Sequence, residues 1–64
     1  MDQLEFYQRA RLARRVKELT QQEVAKQLGK STSWVKDFEY GYLRGKPEDK
    51  KRIAELLGIP LDHD

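Results

Sequence analysis

The 64-residue sequence contains no cysteine, which excludes disulfide frameworks, thiolate zinc sites and thiol catalysis. It contains a single histidine, His63. Placed between Asp62 and Asp64, His63 reads as a chain end rather than a metal ligand. No apolar run approaches the ~18 residues that a membrane span requires. The opening MDQLEFYQRA lacks the basic-then-apolar layout of a secretion signal. Glycine and proline are scarce, four and two respectively, and no useful stretch alternates apolar with polar residues, so strands are not expected. No paired carboxylates, nucleophile–base set or phosphate-cradling glycine loop is present, so neither catalytic residues nor a cofactor is expected. A chain this short forms one domain, residues 1–64, and buries only about 60% of the surface its unfolded form exposes. These absences point to a small cytoplasmic binding domain.

Charge adds a direction. The net charge is +2, but residues 1–46 carry ten basic and six acidic side chains while residues 47–64 carry three and five. A positive front and a negative tail suit an anionic partner facing the front. An ordinary solvated surface gives the same count, so spacing has to decide.

The scarce glycines and prolines punctuate segments rich in helix formers. The first segment runs from about Asp2 to Lys17, with Phe6, Ala10, Ala13 and Val16 in one apolar stripe and Arg11 and Arg15 on a solvent face. The second, Gln21 to Leu28, opens on a capping box formed by Thr20 and Glu23, flanked by Leu19 and Val24 as a hydrophobic staple. Its buried face is Val24, Ala25 and Leu28, and Gly29 ends it. Ser31 then caps a third helix, Thr32 to Tyr40, whose inward side is Val35 and Phe38 with Glu39 alongside. A fourth begins at Pro47 with Glu48 and Asp49 in its first turn. It buries Ile53, Ala54, Leu56 and Leu57 and stops at Gly58, leaving residues 59–64 as a tail. The expected architecture is all-α, a compact four-helix domain.

Helices two and three are joined by residues 29–31 alone. Helices joined this tightly cross steeply, which calls for a small residue at the contact (Ala25), a left-handed turn residue (Gly29) and bulky residues to fill the seam (Val35, Phe38). The stretch TQQEVAKQLGKSTSWVKDFEYG, residues 20–41, resembles the helix-turn-helix of the phage Cro and repressor family, which includes the xenobiotic-response-element-type bacterial regulators. The resemblance rests on Thr20, Gln21, Val24, Ala25, Leu28, Gly29, Ser31, Val35, Phe38, Glu39 and Gly41. Arg14 precedes them at the family's spacing, and LLGIPLD closes the match. The chain departs from the family pattern at Lys30, where an aliphatic residue is usual, and at Lys50 and Lys51.

The resemblance implies a lambda-repressor-like fold and a sequence-specific double-stranded DNA-binding regulator, of the small phage or mobile-element repressor kind, located with the nucleoid. The third helix would enter the major groove. By position in the motif, Thr32, Ser33, Lys36 and Asp37 are the base-reading candidates. Asp37 has a second reading as a partner of Lys36 or Arg44. Gln21, Ser31, Trp34, Tyr40, Tyr42, Arg44 and Lys46 are the candidates for the DNA backbone. Gln21 also reads as a generic exposed glutamine. Trp34 reads equally as core, DNA contact or protein interface, and Tyr42 or Leu43 as packing for the loop. Arg14 and Glu39 are implied to form a structural ion pair. Arg9, Arg11, Arg15 and Lys17 supply long-range attraction or merely a solvated face. A homodimer on a pseudo-palindromic site is one implied assembly. The alternative is a protein-interaction module on the same scaffold, an antirepressor or an inhibitor of another regulatory protein.

Overall fold

Thr20 sets the start of the central helix pair. Its Oγ1 accepts from the Glu23 amide at 3.0 Å while Glu23 Oε1 accepts from the Thr20 amide at 2.7 Å, so two otherwise orphan donors are satisfied by one pair of residues. Ser31 does the same singly for the next helix, accepting from the Trp34 amide at 3.0 Å. The structure is a computed structural model and describes residues 4–61. It contains four helices, α1 (Phe6–Val16), α2 (Gln21–Leu28), α3 (Thr32–Glu39) and α4 (Pro47–Leu57), and no strand among the described residues. The fold is all-α, as expected. Residues 62–64, which include His63, and the expected helical start at Asp2 lie outside the described residues.

All four helices end in the same way. The residue after the last turn is left-handed, and the next amide reaches back to a carbonyl five residues earlier: Leu19 to Arg14, Lys30 to Ala25, Tyr42 to Asp37 and Ile59 to Ala54, at 2.9–3.1 Å. This closure satisfies carbonyls that a helix end leaves orphaned. Three of the left-handed residues are glycines; in α1 it is Glu18, at φ 58°. Gly41 meets two demands at once. Its φ is 81°, and a Cβ there would stand 2.8 Å from the Tyr7 ring. α3 consequently closes one residue sooner than expected, with Tyr40 as its cap.

The core is built from Ala10, Val24, Ala25, Leu28, Val35, Phe38, Ile53 and Leu57. Ala25, on α2, is buried at the centre of the helix pair, where its small side chain lets α3 approach. Phe38 is the hub of the aromatic packing: Phe6 meets it edge-on at 6.2 Å and Trp34 stacks parallel to it at 5.5 Å. Ile59, the first residue of the expected tail, packs on this core. The stripe expected on α1 needs one correction. Val16 is 82% exposed. At about 100° per residue, the buried arc centres on Ala10 and takes in Tyr7 and Arg14, which leaves Val16 beyond its edge. Neither does α1 reach Lys17, which is its cap. Arg11, expected on the solvent face with Arg15, is half-buried.

The left-handed strain at Glu18 is testable. A non-glycine residue there costs roughly 1–2 kcal/mol, part of which glycine returns through its freer unfolded state. Glu18→Gly should therefore raise unfolding stability by about 0.5 kcal/mol, read as a higher urea midpoint. Gly41→Ala should lower stability by about 2 kcal/mol or more, because it combines backbone strain with overpacking against Tyr7.

Candidate nucleic-acid interface

Glu39 is 3% exposed, and an ionised carboxylate that deep needs partners for its oxygens. Arg14 supplies two: its Nε donates to Oε2 at 2.6 Å and a terminal nitrogen donates to Oε1 at 3.1 Å. This two-pronged geometry suits guanidinium and carboxylate. The other terminal nitrogen of Arg14 donates to the Leu19 carbonyl at 2.7 Å, which the turn through Glu18 brings within reach. The Gln21 side-chain amide adds a third donor to Glu39, at 3.1 Å from Oε1. The ion pair implied by the family resemblance is thus present. Gln21 is half-buried and spends one amide hydrogen inside the protein, so it is not a generic exposed glutamine.

This cluster joins α1, α2 and the last residue of α3, and it holds α3 from behind. The opposite face of α3 is open. Thr32, Ser33, Lys36 and Asp37 are all exposed and fall within an arc of about 140° at helical spacing. None has a side-chain partner among the described residues. Asp37 in particular is paired with neither Lys36 nor Arg44; only its backbone carbonyl is engaged, by the Tyr42 amide. The structure therefore brings the four base-reading candidates onto one surface.

The backbone candidates divide. Ser31 is exposed but its oxygen is occupied as an acceptor by the cap. Tyr40, Tyr42, Arg44 and Lys46 are exposed along the chain leaving α3, with the rings of Tyr40 and Tyr42 6.3 Å apart. Leu43, not Tyr42, packs the loop onto the core. Trp34 is half-buried and belongs to the margin of the core. One face of its ring lies on Phe38, and the Lys30 ammonium sits 5.1 Å from the ring centroid. Of the three readings open for Trp34, its placement fits the core.

Lys30 and Asp49 were missed as a pair in the sequence. The Lys30 ammonium also lies 3.5 Å from the Asp49 carboxylate, whose other oxygen accepts from the Lys46 amide at 3.3 Å and so caps α4. The lysine that breaks the family pattern thereby ties the turn between α2 and α3 to the start of α4. A lysine with an acidic residue 19 positions away carries no local periodicity, so only the fold could reveal the contact.

The surface is that of a helix-turn-helix: two short helices, a three-residue turn, and the outer side of the second helix presented to solvent. A family model described as a helix-turn-helix domain matches residues 5–63. The chain belongs to this helix-turn-helix domain family, consistent with its likeness to the Cro and repressor proteins, and the domain is of the DNA-binding kind. No solved structure matches the chain. Among the described residues no helix is long and apolar enough to cross a membrane.

Removing one side of the buried pair leaves the other charge uncompensated. Glu39→Gln or Arg14→Met should each cost roughly 3–5 kcal/mol, which approaches the whole stability of a domain this small. The double variant Arg14→Met/Glu39→Leu should cost less than the sum of the two single removals, measured by chemical denaturation as a coupling energy.

Proposed function

We propose that this chain is a sequence-specific double-stranded DNA-binding transcriptional regulator, of the small phage-type or mobile-element repressor kind, that reads the major groove with α3. The observation that carries the reading is the row Thr32, Ser33, Lys36 and Asp37, exposed and unpartnered on a helix whose other side is fixed by Arg14 and the core. A groove reader needs donors and acceptors that are free to meet base edges yet held in register by a rigid support.

Each residue has a role in this reading. Lys36 donates to guanine O6 and N7, Asp37 accepts from a cytosine amino group, and Thr32 and Ser33 contribute hydroxyls, with the Thr32 methyl available to thymine. Arg44, Lys46, Tyr42 and the second amide hydrogen of Gln21 address phosphates on either side. One domain of this size spans one half-site, so two copies bind a pseudo-palindrome with half-sites about 34 Å apart. The reading assigns no catalytic role. It places the chain in the cytoplasm of a bacterium or phage-infected cell. Exposed, unpaired Asp37 favours a second reading, in which the same face docks another regulatory protein, because a carboxylate on a DNA-facing surface repels phosphates.

Selection from a random pool of duplexes decides between them. The DNA reading predicts enrichment of a pseudo-palindrome and a log–log salt dependence that falls steeply. Lys36→Ala should lose about 1–3 kcal/mol of discrimination at one base position per half-site. A folded chain that enriches no sequence over the input pool overturns the DNA reading and leaves the protein-docking one.

A further inference from the structure

Two arginines of α1 place their guanidinium over an aromatic ring, Arg9 over Phe6 and Arg11 over Tyr40, and of these only the ring beneath Arg11 belongs to the end of α3. The Arg11 guanidinium lies over the ring of Tyr40, with Cζ 5.7 Å from the centroid. Its Nε is buried and meets no hydrogen-bond acceptor, and no carboxylate pairs with it among the described residues. Glu39, the acid next to Tyr40 in sequence, is already satisfied by Arg14 and Gln21. Arg11 is therefore a positive charge held in place by an aromatic face and not neutralised. The cation–π contact uses up no hydrogen-bond donor, so the terminal guanidinium nitrogens remain for another partner.

The position of this charge says what the partner is. Tyr40 follows Lys36 by four residues and continues the open row of α3 at its C-terminal end. Tyr42 lies beside it and is 82% exposed. The eight residues of α3 span about 12 Å, close to the ~12 Å width of the major groove. In the DNA reading, with Thr32 and Ser33 at base edges, Tyr40 at the far end of α3 falls toward the strand that borders the groove.

We propose that Arg11, oriented by Tyr40 and flanked by Tyr42, is a phosphate contact that grips the DNA strand where α3 leaves the groove. This rests on the DNA reading above and adds to it a residue on α1, remote from the helix pair in sequence. Arg11 donates to a phosphate oxygen, and the Tyr40 and Tyr42 hydroxyls donate to the same phosphate or its neighbour. The contact carries no sequence information; it fixes register and orientation.

The test uses the selected duplex and a scrambled duplex of equal length, across a salt series, with wild type, Arg11→Gln, Arg11→Lys, Tyr42→Ala and Lys36→Ala. Thermal unfolding of each variant is measured in parallel, and exposed Tyr42 gives a variant that leaves the core untouched. Arg11→Gln should weaken binding to both duplexes alike, up to about fivefold, and lower the log–log salt slope by about 0.9, the loss of one phosphate. Arg11→Lys should keep the slope and lose part of the affinity, because a point charge replaces the guanidinium's several fixed donors. Tyr42→Ala should weaken both duplexes equally with the slope unchanged. If Arg11→Gln keeps wild-type affinity and slope while Lys36→Ala still loses site preference, the Arg11 contact is wrong and the DNA reading stands. A change in base preference for Arg11→Gln equally rejects a phosphate contact. If wild type binds neither duplex, the DNA reading falls and this contact with it.

Discussion

The buried carboxylate of Glu39 is the point at which three helices are made to agree. α1 contributes Arg14, α2 contributes Gln21, and α3 contributes the acid itself. An apolar contact at the same place would hold the helices together but would allow them to slide and rotate. A carboxylate that must receive three donors in fixed directions allows little of either. The Leu19 carbonyl extends the constraint to the turn before α2, so the beginning of the helix pair and the end of its second helix are fixed against one guanidinium. Burial of a charge pair is a poor source of net stability. What it supplies here is orientation, and the exposed row on α3 takes its direction from it.

A second, looser set of contacts acts at the other end of α3. Phe38 and Trp34 stack in parallel, Lys30 lies over the indole, and Asp49 receives Lys30 and caps α4. Each contact is modest, since the pair is partly exposed and exposed ion pairs contribute little. Together they link the turn, the start of α3 and the start of α4. α3 is thus held near its start by an aromatic–cation stack and at its end by a buried ion pair, with its middle seated through Val35 and Phe38.

Much of the scaffold was legible in the sequence because it is written in local chemistry. The Thr20–Glu23 box, Ser31 before Thr32, Pro47 at the head of α4 and glycine after α2 each involve residues within three or four positions, and these boundaries agree with the structure. Motif spacing pointed to Arg14 and Glu39 across 25 residues, which periodicity alone could not have done. What escaped was set by geometry between distant segments. Val16 has the right chemistry for the stripe, but α1 ends there and its buried arc runs through Tyr7 and Arg14. Lys30 looked like a flaw in the motif until Trp34 and Asp49 were placed beside it. Tyr7 gave no sign that it would close over Gly41, nor Arg11 that it would settle on Tyr40.

In the proposed function, the outer row of α3 meets DNA because the Glu39 cluster holds it outward. Amide chemical shifts of isotope-labelled protein, recorded as a selected duplex is added, test this residue by residue. On this proposal the largest shifts fall on Thr32, Ser33, Lys36 and Asp37, with smaller ones at Gln21 and around Tyr40, while the buried residues of α4 stay still. Shifts that leave residues 32–37 unmoved and gather instead on α4 around Lys51, Glu55 and Ile59 would contradict it.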